Sequence, residues 1–292
     1  MTSSVRQSYI HFSDKWEHIQ SQHVGPFLTR IVHRRPDGRM DTRTSRRHRK
    51  LFGPEPDLKT KPRRKYWLWR PHSLNWWIAL LFMIGSWHFV SGSVLVLAGS
   101  AYVYWIDLIY FIGSIFFTAA GYSQYYQAIN APEALDENGR PPTIQKRRYF
   151  GWQPHRLDFW ATLPQFIGTL AFNISTFMAF VSVQWLGYDI LVWIPDYVGS
   201  ILFLVSGAAA VLEFCHHFWC WQRQELTWWI IMINFVGCVA FMISAFAAFV
   251  RPNPIFGNLM TWATIFTLIG AVCFFVGAYL MWPEMAAEEG AA

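Results

Sequence analysis

Val198-Gly199-Ser200-Ile201-Leu202-Phe203-Leu204-Val205-Ser206 is the stretch that decides the fold. A branched aliphatic residue, Gly, a small residue, two variable positions and Phe stand here in a long apolar run. The same order occurs in five other apolar runs: Ile84-Gly85-Ser86…Phe89, Ile112-Gly113-Ser114…Phe117, Ile167-Gly168-Thr169…Phe172, Val236-Gly237-Cys238…Phe241 and Ile269-Gly270-Ala271…Phe274. A second small residue follows each Gly by seven positions: Gly92, Ala120, Ser175, Ser206, Ser244 and Gly277. A pattern shared by all six runs is an internal repeat and governs the architecture.

The runs cover residues 74–98, 103–129, 159–185, 197–219, 227–250 and 258–282 and are nearly free of Lys and Arg. A helix of roughly 20 residues crosses a hydrocarbon core of about 30 Å. Backbone in lipid must satisfy its own hydrogen bonds, so the runs are expected as helices. Only 14% of the 292 residues are charged, where soluble domains carry roughly 25%. The expected fold is all-α: a polytopic integral membrane protein of six transmembrane helices in three hairpin repeats, at 74–129, 159–219 and 227–282. The first run follows about 70 polar residues, which is not the place of a cleaved signal peptide.

Charge sets the expected orientation. Residues 1–73 hold 17 of the 24 Lys and Arg residues against six acids. Arg140, Lys146, Arg147, Arg148 and Arg156 follow the second run and Arg223 follows the fourth, whereas the opposite ends have Arg251 beside Asp189 and Asp196. Positive loops stay in the cytoplasm. Both termini are therefore expected inside, in a plasma (inner) membrane. Trp77, Trp160 and Trp229 begin the three hairpins at that interface, and Gln127, Glu213 and Glu284 end them, each fourteen residues after its motif Gly.

Residues 1–73 read as a basic, largely flexible cytoplasmic region. Tyr9, Phe12, Trp16 and Ile19 form a stripe over 8–24 that predicts a short surface helix. Residues 33–73, with Pro36-Asp37-Gly38 and Arg46-Arg47-His48-Arg49-Lys50, read as unstructured. Residues 130–158 are expected as a cytoplasmic loop and 283–292 as a short acidic tail. The basic region is expected to meet anionic lipid headgroups; a homo-oligomer is open and no nucleic-acid partner is expected.

Gly and a small residue two turns on share one helix face and allow close helix approach in lipid. Gly85, Gly113, Gly168, Gly199, Gly237 and Gly270 are accordingly read as packing positions. The runs Gly199–Gly207 and Ile112–Phe117 resemble the small two-helix YrhK-like membrane domain. That resemblance spans each hairpin separately, excludes the N-terminal region, and implies three tandem copies of a two-helix unit without implying an activity.

Ionisable groups in a membrane are functional suspects. His88 is the first, because the other copies place Phe116, Ala171, Leu202, Ala240 and Cys273 there. Asp107 and Asn173 are the other pathway or switch candidates, Asn173 alternatively as interhelical glue. Glu213 and His216 form a weak metal pair, since di-iron bundles need that pair twice. Cys215, Cys220, Cys238 and Cys273 show no CxxC spacing and read as small packing residues. No GxSxG, Walker loop, HExxH or dinucleotide fingerprint is present, so no enzyme and no cofactor are expected. Three classes remain: a small-ion or proton channel or transporter with His88 near its pathway; a scaffold or sensor acting through the N-terminal region; and a cofactor-binding redox protein using His88 and His216.

Overall fold

The computed structural model describes residues 15–50, 52, 69–132, 147–181, 189–249 and 259–289. It opens with an antiparallel sheet of three strands in sequence order, β1 (Glu17–Val24), β2 (Phe27–Arg34) and β3 (Met40–Thr44). Two tight turns make this meander. Gly25 at φ 56° links β1 to β2, and Gly38 at φ 83° ends the Pro36-Asp37-Gly38 turn before β3. Both need a left-handed residue, which Gly supplies without a steric cost. Asp41 is fully buried and receives Arg35 and, at 2.8 Å, Arg43 Nε. A one-turn helix follows, α1 (Ser45–Arg49), with the Thr44 hydroxyl accepting from Arg47 N–H.

Six segments are long and apolar enough to cross a membrane. They are α2 (Leu74–Leu97), α3 (Val103–Ile129), the pair α4 (Leu157–Trp160) and α5 (Leu163–Phe180), then α6 (Ile194–Cys215) after a π-helical turn at Asp189–Trp193. α7 (Leu226–Ala247) and α8 (Leu259–Glu289) complete the set. Each packs on the next and α8 returns to α2, so the helices close a ring. We call the end that carries the sheet proximal and the other distal. The first helix of each hairpin begins at the proximal end and the second returns to it.

The glycine motif explains the hairpin contacts. A Cβ added to Gly85 would stand 2.8 Å from Phe117 Cδ2, and one on Gly113 would stand 3.0 Å from Phe89 Cδ2. Gly168 and Phe203, Gly199 and Phe172, Gly237 and Phe274, and Gly270 and Phe241 repeat the relation at 2.8–2.9 Å. Each Phe therefore enters the notch left by its hairpin partner's Gly. Lipid tails are as apolar as Phe, so this close fit, rather than escape from water, holds the helices together.

Several expectations are corrected. The chain is not all-α, because residues 17–44 form a sheet. Strand β1 occupies residues 17–24 of the stretch 8–24 expected as a surface helix, and residues 17–50 are ordered rather than flexible. Residues 1–14, 53–68 and 133–146, which include further parts of the expected flexible region and of the 130–158 loop, lie outside the described residues. The expected tail is not separate: α8 continues through Pro283 to Glu289. Cys215 and Cys220 are joined in a disulfide, which reverses their reading as packing thiols; five residues of separation are enough for closure around the left-handed turn at His216. Cys238 and Cys273 are free.

Candidate functional site

The motif phenylalanines meet on the axis of the ring. Their centroids run in a closed circuit: Phe89–Phe117 at 5.4 Å, Phe117–Phe274 at 5.7 Å, Phe274–Phe203 at 5.5 Å, Phe203–Phe172 at 5.0 Å, Phe172–Phe241 at 6.0 Å and Phe241–Phe89 at 6.3 Å. Phe117, Phe203 and Phe274 come from the second helices and form the proximal layer. Phe89, Phe172 and Phe241 come from the first helices and form the distal layer. Edge-to-face and offset pairs at these distances are favourable geometries. Together they fill the centre.

A chamber lies on each side of this aromatic knot. The distal one, about 40 Å³, is bounded by Phe89, Phe172 and Phe241 and carries Thr176, Asp196, Ser244 and Thr267. The proximal one, about 80 Å³, has Phe82 and Phe274 at its base and the amides of Gln124, Gln165 and Asn234 around it. Its roof is α1, with Arg46, Arg49 and Lys50.

Three hairpin ends hold α1 in place. Glu213 is fully buried; it accepts from Ser45 Oγ at 2.7 Å and from Arg49 Nη2 at 3.1 Å. Glu284 accepts from Arg46 Nη2 at 3.1 Å, from Thr227 Oγ1 at 3.0 Å and from Lys50 Nζ. Gln127 Nε2 donates to Asn75 Oδ1 at 3.0 Å, and Asn75 Nδ2 donates to the Lys50 carbonyl at 3.0 Å. Glu288 pairs with Arg47 at the rim. The basic run 46–50 is thus turned into the bundle and plugs its proximal mouth. Burial, with Arg46 and Arg49 beside it, pushes the Lys50 ammonium down to about 8 in spite of Glu284. His48 is also buried, beside the Arg156–Asp158 pair, and burial followed by Arg156 lowers its imidazole to about 3.

A second recurrence surrounds the plug. The indole N–H of Trp77 donates to the Pro71 carbonyl, that of Trp160 to Pro154 and that of Trp229 to Arg223, at 2.9, 3.0 and 3.0 Å. Trp69 on Trp76, Trp152 on Phe159 and Trp221 on Trp228 all lie edge-to-face at 5.3 Å. The sequence signal is Trp, four residues, Leu, one residue, Trp or Phe, then Trp, at 69–77, 152–160 and 221–229. Asn75, Asp158 and Thr227 occupy the position before the aromatic pair, and each faces the plug or its acids.

The three pathway candidates from sequence, His88, Asp107 and Asn173, line neither chamber. His88 lies off the axis: its Nδ1 is 2.8 Å from the Ile84 carbonyl of its own helix and its ring stacks on Phe116. Asp107 sits near the distal start of α3, half-buried. Asn173 Nδ2 donates to Thr118 Oγ1 at 2.8 Å and so ties α5 to α3. Glu213 and His216 line one further cavity beside α1, where Glu213 is engaged by Ser45 and Arg49 and His216 caps α6. Among the described residues no group of three His, Cys, Asp or Glu is placed to hold a metal ion. No family model, curated protein or solved structure matches the chain.

Proposed function

We propose that this multi-pass membrane protein is a gated small-ion conduit held shut, built from three copies of one helical hairpin, with both termini cytoplasmic. The observation that carries this reading is a pair of chambers, each with polar side chains in a largely apolar wall, on either side of a six-residue aromatic knot. Apolar constrictions gate ion pathways by excluding water. The N-terminal sheet and α1 supply a second closure at the proximal mouth. Recurrence of the Gly–Phe exchange and of the Trp–carbonyl bond in each hairpin supports the three-copy origin and the likeness to the YrhK-like unit. The Lys and Arg excess at the proximal end supports the orientation. The role is not enzymatic: the chambers serve passage and closure.

Proteoliposomes test this directly. Wild type is expected to be tight to chloride and to potassium. Phe241 touches Phe89, Phe172, Phe203 and Phe274, so Phe241→Ala is expected to open a leak. A folded Phe241→Ala protein that passes neither ion would defeat the conduit reading. The alternative, a sensor or scaffold working through the N-terminal unit, would then lead. Its supporting observation is that buried ion pairs couple that unit to α6 and α8.

A further inference from the structure

We propose that the proximal chamber is a binding site for one small monovalent anion of halide class. Around it, two buried cations, Arg49 and Lys50, and the largely buried Arg46 face two buried carboxylates, Glu213 and Glu284. Arg156 and Asp158 cancel one another, as do Arg47 and Glu288 at the rim. Among the five side chains Arg46, Arg49, Lys50, Glu213 and Glu284, one positive charge is therefore in excess. A buried charge without a counter-charge is costly, and a protein corrects it with a bound ion or a proton shift. Arg46 and Arg49 each carry a buried Nε–H with no acceptor, on side chains that line the chamber. Gln124 and Gln165 add amide donors to the same wall. The space of about 80 Å³ takes a halide with a few waters, since one water needs roughly 10–15 Å³ on this measure.

This assignment deepens the conduit reading by naming the ion class at its proximal chamber, but binding is measured without flux. Equilibrium binding of radioactive chloride to the detergent-purified full chain is expected to saturate at one ion, with gluconate in place of chloride as the control. Gln165→Glu puts a carboxylate into the chamber and should weaken chloride by about tenfold or more while keeping the fold. Gln165→Leu removes only a donor and should weaken it less. No saturable chloride binding by folded wild type would overturn the proposal, and so would unchanged binding in Gln165→Glu. Chloride binding without any leak in Phe241→Ala would retain the site and remove the conduit; a leak without chloride binding would do the reverse.

Discussion

Arg49 and Glu213, 164 residues apart in sequence, meet at 3.1 Å with almost no solvent on either side chain. This pair joins the N-terminal unit to the fourth membrane segment. It is reinforced from the same carboxylate by Ser45. Breaking a buried pair by removing one partner leaves an uncompensated charge and costs about 3–5 kcal/mol.

Arg49→Ala is accordingly expected to free the plug while the six-helix ring persists. Limited proteolysis should cut residues 45–52 faster than in wild type, with the bundle left intact. A double-mutant cycle with Glu213→Gln should show the two losses to be far from additive. Full additivity would mean that the two side chains do not depend on each other.

Gly168→Ala should lower thermal stability by about 1–3 kcal/mol, the usual cost of overpacking. The new methyl group would lie 2.8 Å from Phe203 Cδ2 and 3.0 Å from the Gly199 carbonyl oxygen, and backbone cannot turn aside as a flexible side chain can. Ile115→Ala, on an exposed lipid-facing position, is the control and should change stability little. Equal losses in both would remove the notch as the cause.

Acid should loosen the N-terminal unit. His48 has an ordinary value of 6.5 and is held near 3 in the fold. The unfolded chain therefore binds the extra proton between these values, and stability falls as pH drops below 6.5 and is complete above it. Well below 6.5 the loss approaches about 1.4 kcal/mol per pH unit for this one group. Arg43, Arg156 and Asp158 are the charged groups that act on it. His33 and His216, each held near 4 mainly by burial, act with the same sign. Hydrogen exchange of residues 45–50 at pH 5 and pH 7 measures the effect, and His48→Gln should reduce the difference.

His88→Ala is expected to leave the leak through Phe241→Ala unchanged, because its ring lies against Phe116 and off the axis. Flux from the double variant, compared with Phe241→Ala alone, checks this. A lowered leak would return His88 to the pathway.

Sequence carries the ring well and the plug poorly, for physical reasons. Six glycine motifs mark the helices because lipid demands long apolar runs and small residues at their contacts. What the motif leaves open is where each Phe goes; only the closed ring shows that it fills the partner's notch and the common axis. Charge masks the sheet: Phe27–Arg34 holds the β-branched Thr29, Ile31 and Val32 and lies between the turn signals Gly25-Pro26 and Asp37-Gly38, but the nearby arginines read as disorder. Gln127, Glu213 and Glu284 stood out as aligned, yet their alignment named no partner. That partner, α1, lies far away in sequence, and no local pattern pairs Lys50 with Glu284. His88 drew attention because an ionisable group in lipid is rare, and a bond to its own helix is enough to accommodate it.

The anchors of α1 also impose an order in time. The cations at 46–50 leave the ribosome long before Glu213 and Glu284, so the plug cannot be seated until the last membrane segment has been made. Until then those side chains lack the acids that neutralise them in the finished fold. A nascent chain halted before residue 284 should therefore leave Arg46 and Lys50 without the carboxylate that holds them in the completed fold.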